Sequence, residues 1–243
     1  MLGQLLPWWM GLAAPRHREP PHGALPPERW RFLGEFLRHP RLVGAVTPSS
    51  RYLARAVAAQ VPAAARCVIE LGPGTGAITR ALLARLGPQA TLLAVEVDPA
   101  FCAVLRRALP DPRLHVIQAL AQDLPVRQAG FGPPVEAIVS GLPFVNFSPA
   151  LRRQIMAAAD RALVHGGTFV GYSYGPLVLP GLLRATFGEC RLAGIVWRNL
   201  PPAFVFAARK TKPAEPGVFT ASKGSPLFGH PASGGSLGRG LRW

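Results

Sequence analysis

An apolar run that empties into a glycine-rich turn, Val68-Ile69-Glu70-Leu71-Gly72-Pro73-Gly74-Thr75-Gly76, constrains this chain more than any other segment. A strand, closely spaced glycines and then a helix is how an open α/β sheet brings its backbone against a nucleotide. The glycines permit positive φ and close approach of a ligand. Gly72, Gly74 and Ala77 also satisfy the G-x-G-x-x-A dinucleotide pattern, so a dehydrogenase is one reading. Glu70 argues against it. A carboxylate at the strand end repels a pyrophosphate held at the helix N-terminus, but suits a cationic amino group such as that of S-adenosylmethionine. Glu96 ends the next strand-like run, 20 residues beyond Gly76, where an acid can accept hydrogen bonds from ribose hydroxyls. Asp98 competes locally, and also reads as the N-cap of the helix that Pro99 begins.

Around this loop the hydrophobic pattern alternates. Cys67–Leu71, Thr91–Glu96, Leu114–Ile117, Val135–Val139 and Thr168–Tyr172 read as short strands, with two more near Leu192–Trp197 and Ala203–Ala208. Helical stretches fall near Ala77–Leu86, Pro99–Leu109 and from Pro149 to about Leu163, and Gly166-Gly167 reads as a turn. Thr47-Pro48-Ser49-Ser50 supplies cap-type residues ahead of a helix reaching about Val61. Strands alternating with helices predict an α/β fold: a doubly wound, mostly parallel sheet. Before it, Trp30, Phe32, Leu33, Phe36 and Leu37 share one side of a helix over 28–39, a pattern for a core-facing or a membrane-interfacial helix. The expected organisation is a flexible segment at 1–27, amphipathic helices over 28–61, a catalytic domain over 62–209 and a disordered Gly/Pro/Ser-rich tail over 210–243.

Charge narrows the partners. With 27 basic and 12 acidic residues the chain carries +15, which attracts a polyanion, either nucleic acid or an anionic membrane surface. No apolar run reaches the length of a membrane span. The opening MLGQLLPWWMGLAAP lacks a basic residue ahead of its apolar run and reads as a poor secretory signal, so the expected place is the cytoplasm. Cys67, Cys102 and Cys190 have no zinc-type spacing and sit in apolar stretches, as buried free thiols do; no metal site is expected.

Two further turns carry chemistry. After the third strand, folds of this type place an acid near the adenine. Here Leu120 stands in that register and Asp123 follows three residues later, able to serve the base or to cap a turn. At the end of the fourth strand, Ser140-Gly141-Leu142-Pro143-Phe144 is a polar, proline-containing turn, suited to orienting an amine or simply to closing the sheet.

The segments GAVTPSSR (44–51), ELGPGTG (70–76), SGLPFVNFSP (140–149), YSYGP (172–176) and WRNLPPAFV (197–205) together resemble the bacterial phospholipid N-methyltransferases, over roughly Arg29–Arg209. That family is itself similar to rRNA adenine dimethylases, which carry an Asn-Leu-Pro-Tyr turn at the position of Ser140–Phe144. The resemblance implies a seven-stranded sheet with an antiparallel last strand, a peripheral place on the inner membrane face, and phosphatidylethanolamine as acceptor. It implies that Glu70, Gly72, Gly74, Gly76, Glu96, Asp123 and Ser140 bind S-adenosylmethionine, while Ser140, Gly141, Leu142, Pro143, Tyr172 and Tyr174 hold the acceptor. An aminolipid amine must lose a proton before attack, because amines near pKa 10 are protonated at neutral pH. A methylated, cationic product fits an aromatic pocket: Tyr172 and Tyr174 are the expected walls, whereas Phe147 and Trp197 read as core. Arg198 and Asn199 could hold a lipid phosphate. Ornithine lipid is an alternative acceptor. A nucleic-acid methyltransferase, which the charge would also suit, normally carries a helical domain after the sheet, where this chain has a Gly/Pro-rich tail. A non-catalytic membrane-binding relative is the third reading, opposed by Glu70 and Glu96.

Overall fold

The computed structural model describes residues 50–124 and 134–212. The amphipathic segment at 28–39, most of GAVTPSSR, and the tail beyond Lys212 lie outside the described residues. Seven strands form one sheet in the order β3-β2-β1-β4-β5-β7-β6. They are β1 (Cys67–Leu71), β2 (Thr91–Glu96), β3 (Leu114–Gln118), β4 (Val135–Ser140), β5 (Leu163–Ser173), β6 (Gly188–Val196) and β7 (Ala203–Lys210). The first five run parallel, and β7 is antiparallel to both β5 and β6. The sheet is the doubly wound α/β architecture expected, with the antiparallel strand inserted at β7. Chain order reverses between β1 and β4, the switch point at which open α/β sheets bind ligands.

Helices cover both faces, which is why the central strands read as continuous apolar runs. Alternate residues of one strand serve opposite cores. On one face Ile69, Ile138 and Phe169 pack with Ile155 and Met156 of α4 (Pro149–Ala162) and with Leu183 and Phe187 of α5 (Val178–Phe187). On the other, Val68, Val139 and Val170 meet Leu53 and Val57 of α1 (Arg51–Ala58) and Leu82 of α2 (Ala77–Arg85). The remaining helix, α3 (Pro99–Ala108), covers β2 and β3 through Cys102 and Leu105.

Local chemistry sets the boundaries. Ser50 caps α1, its hydroxyl accepting from Leu53 N–H at 3.2 Å. Asp98 caps α3 through Ala100 N–H at 2.7 Å, with Pro99 in the first turn. Ser148 does the same for α4, accepting from Leu151 N–H at 3.3 Å.

One element goes unread in the sequence and one expectation fails. The unread element is α5, which carries Pro180-Gly181 inside it. Pro180 is the third residue of that helix, where no intrahelical acceptor awaits its missing N–H. The expected turn at Gly166-Gly167 is an irregularity inside β5: Val135 pairs with Leu163 and Ala137 with Thr168, and Gly166 at φ 78° absorbs the extra residues. Cys67 and Cys102 are buried and free, and Cys190 is half-buried and free. No described helix is long and apolar enough to cross a membrane.

Candidate functional site

The Gly72–Gly76 loop leaves β1 at the switch point and is held from both sides. Gly72 N–H donates to Val95 O at 2.9 Å, and Gly141 N–H, from the turn after β4, donates to Leu71 O at 2.8 Å. The two turns touch backbone to backbone. A Cβ on Gly141 would stand 2.8 Å from Gly72 O, and one on Gly72, at φ +67°, would stand 2.8 Å from Leu142 Cδ2. These two glycines let the loops after β1 and β4 close against each other.

Glu96, at the end of β2, is buried and fixed. Its Oε2 accepts from Gly74 N–H at 3.0 Å, and its Oε1 from Val97 and Asp98 N–H at 2.8 and 3.1 Å. Three of roughly four acceptor positions on a carboxylate are thereby used. One direction on Oε2 remains for a ligand hydroxyl.

Glu70 lies on the opposite face of β1 from Leu71, only 1% exposed. Burial pushes its carboxyl up to about 8; Thr79 of α2 pulls it back down, and the Glu96 charge adds to the rise. Thr79 faces the carboxyl through its hydroxyl and its backbone N–H, yet neither Glu70 Oε2 nor the Thr79 hydroxyl meets full hydrogen-bond geometry. A buried carboxyl with an unmatched oxygen lacks a donor or a cation.

A cavity of about 260 Å³ opens beside these loops, walled by Gly72, Val95 and Val97, by Ala119–Gln122, by Leu142 and Phe147, and by Leu151 and Ile155 of α4. Its sides are apolar, suited to a flat base. Polar groups enter at a few points: Glu96, Gln122, Asn146 and Gln154. Among the described lining residues Glu96 is the one acid, and none is a histidine or a lysine. No group of metal-type ligands occurs among the described residues.

The expected residues are distributed as follows. Gly72, Glu96 and Leu142 line the cavity, and Gly74 is tied to Glu96. Gly76, at φ 83°, begins α2, and a Cβ there would meet Leu105 at 2.7 Å. Glu70 is behind the loop, not in the cavity wall. Ser140 is buried, and its hydroxyl accepts from Leu142 N–H at 3.3 Å, shaping the turn that continues through Gly141 and Pro143. Tyr172 and Tyr174 are half-buried at the end of β5, edge to face at 6.1 Å, and pack on the α1–α2 side of the sheet, away from the cavity.

Three expectations are corrected and one is extended. Asp123 is exposed and does not line the cavity; from the 3-10 turn Ala121–Asp123 it lines an adjoining cleft with Ala157 and Arg161, whose other walls, Gln122 and Gln154, also line the cavity. Trp197 is not core but exposed. Phe147 is buried, as read, but it is also a cavity wall, held edge to face at 6.0 Å by the fully packed Phe144. Asn199 is buried rather than presented to a phosphate: its Oδ1 accepts from Ser50 N–H at 3.2 Å and its Nδ2 donates one N–H to Pro201 O at 2.8 Å. Sequence reasoning missed Gln122, Asn146, Leu151, Gln154 and Ile155 as cavity residues. Leu151, Gln154 and Ile155 at helical spacing in α4 were the one available signal.

Residues 68–167 match a family described as a methyltransferase domain. An ornithine lipid N-methyltransferase from Singulisphaera acidiphila is 32% identical over 185 residues, 74% of this chain and 95% of that protein. A ribosomal RNA small subunit methyltransferase A from Bordetella avium is 36% identical over 132 residues, 54% of this chain but only 44% of that protein. Among solved structures, the 1,6-didemethyltoxoflavin-N1-methyltransferase of Burkholderia thailandensis, holding S-adenosylhomocysteine, shares the fold at a TM-score of 0.56 and 18% identity. The match covers 83% of this chain and 94% of that one. Precorrin-6y C5,15-methyltransferase from Geobacter metallireducens does so at 0.53 and 15%, covering 65% and 88%.

Proposed function

The chain belongs to the class I S-adenosylmethionine-dependent methyltransferases, and from that premise we propose that it N-methylates the headgroup amine of a membrane aminolipid. The observation that carries the reading is the backbone contact between the loops after β1 and β4. It sets the Ser140–Pro143 turn directly against the glycine loop, with Leu142 in the cavity wall. The choice of a lipid acceptor is supported by the likeness to an ornithine lipid N-methyltransferase along 95% of that protein, against less than half of the rRNA enzyme. Ornithine lipid is therefore the first acceptor to test, with phosphatidylethanolamine, which also offers a primary amine, as the second.

In this reading the cavity takes the adenosine part of the cofactor. Val95, Leu120 and Phe147 pack on the base, the free direction of Glu96 Oε2 accepts a ribose hydroxyl, and the Gln122 carboxamide takes the adenine contact that Asp123 does not reach. Glu70, with its unmatched oxygen, balances the ammonium of the methionine part. When bound, the cofactor supplies an electrophilic sulfonium methyl. The chain's part is to hold the acceptor nitrogen against it: the carbonyls of the turn after Ser140 accept from the amine and fix its lone pair in line. Glu96 has three acceptor positions on backbone amides and its fourth on the ribose, so the amine's proton passes to water or to the lipid's own anionic groups. Tyr172 and Tyr174 pack on the α1–α2 side of the sheet, so they wall no part of the cofactor's cavity. The enzyme would work from the cytoplasm on the inner membrane face.

Purified protein is incubated with labelled S-adenosylmethionine and, in parallel, ornithine lipid micelles, phosphatidylethanolamine micelles and rRNA. Label in a lipid headgroup is the expected result. Label in RNA alone would replace this reading with the nucleic-acid one, and label in none would leave a binding protein.

A further inference from the structure

The turn between β6 and β7 presents two large apolar side chains to water: Leu200 is 87% exposed and Trp197 73%. They are held there. Asn199, buried between them, ties the turn to Ser50 at the start of α1 and to Pro201. The turn lies at one particular end of the sheet. Ser173, closing β5, pairs with Phe204 at the start of β7, so the residues before Ala203 stand where the parallel strands finish. That is the end from which the Gly72–Gly76 loop and the Ser140–Pro143 turn emerge. Leu177, 82% exposed, follows β5 at the same end.

Cations adjoin the apolar turn. Arg51 and Arg198 both lie over the Tyr52 ring, 5.0 and 5.2 Å from its centroid, and both draw its phenol below the usual range. From Arg51 a groove of about 620 Å³ runs between α1 and α2. Alanines keep its floor low, Arg51, Arg55, Arg80 and Arg85 stand along it, and no acid lines it among the described residues.

Exposed Trp and Leu beside unpaired-sign arginines is the composition of a surface that rests in the interface of an anionic bilayer, with the apolar tips in the acyl boundary and guanidiniums at the phosphates. A nucleic-acid face would use the arginines but leaves Leu200 unexplained. We propose that the β6–β7 turn and the α1–α2 arginine groove together dock the enzyme on anionic lipid, with the open end of the site turned to the bilayer. This rests on the aminolipid reading, since a lipid amine that stays in its membrane is reached only from that end.

The test is flotation of the full chain with vesicles of phosphatidylglycerol and phosphatidylcholine, and with phosphatidylcholine alone. Wild type should float with the anionic vesicles and lose most binding in high salt. Trp197→Glu with Leu200→Glu should bind about tenfold less. Arg51→Ala with Arg55→Ala should bind about thirty-fold less, the factor for two surface arginines at the usual electrostatic contribution. Both variants should keep wild-type affinity for S-adenosylhomocysteine and wild-type methylation of detergent-dispersed aminolipid, which also shows that they fold. Unchanged flotation of either variant overturns the proposal. So does sizing chromatography in which wild type runs as a dimer and the apolar variant as a monomer, which would make the face a contact between copies, or arginine-dependent binding that is tighter to RNA than to the anionic vesicles. If wild type methylates no dispersed aminolipid, the functional reading falls while the flotation comparison still decides the docking surface.

Discussion

Glu70 is the residue whose behaviour is most sharply determined by its surroundings. Its carboxyl titrates near 8 when folded, against an ordinary value near 4.5. Between those values the folded protein holds a proton that the unfolded chain has released, so stability of the ligand-free protein falls as pH rises across that window. The full effect is about 4 kcal/mol by pH 8. Glu70→Gln should abolish this dependence and raise the melting temperature at pH 8, while weakening S-adenosylhomocysteine binding about ten- to hundred-fold, as read by calorimetry. An ammonium seated at Glu70 also forces the carboxyl to ionise. Binding at pH 7 should therefore release close to one proton, visible as a dependence of the heat on the buffer's ionisation enthalpy. Two neighbours discriminate the adenine contact: Gln122→Ala should lower affinity about tenfold, and Asp123→Ala should leave it unchanged. Gly141→Ala, which drives a methyl toward Gly72 O at 2.8 Å, should destabilise by about 1–3 kcal/mol and open the contact between the two turns.

At the scale of elements, α5 anchors the antiparallel end of the sheet. Phe187 is fully buried and stacks on Phe169 of β5 with ring centroids 5.1 Å apart. Phe187→Ala should cost about 3–5 kcal/mol in chemical denaturation, with the cooperativity of the transition retained. This helix was also the least legible element. Pro180 and Gly181 carry the marks of a breaker in sequence, and only their place in the first turn reconciles them with a helix. The strands β1, β2 and β4 were legible because burial on two faces leaves a continuous apolar run. The site divided in the same way. Gly72 and Glu96 announce themselves by spacing along one segment of chain. Gln122, Asn146 and Gln154 come together only when α4 folds against the Ala121–Asp123 turn, and nothing in a linear pattern encodes that approach. Trp197 looked like core because aromatic residues near strands usually are. Its exposure follows from the turn geometry that Asn199 fixes.

The described residues join a cavity at the switch point of the sheet to an end of the same sheet that carries exposed apolar and cationic groups. Its +15 charge and basic groove would suit RNA as well as lipid, so charge alone does not choose the acceptor. The length of the match to a lipid enzyme and the exposed Trp197 and Leu200 favour the bilayer. The most direct measurement is the lipid mass spectrum of bacterial cells that lack methylated aminolipids and express this chain. The account predicts aminolipid headgroups heavier by one or more methyl groups, absent when Glu96→Ala is expressed at the same level. Unchanged lipids alongside newly methylated rRNA adenines would contradict it.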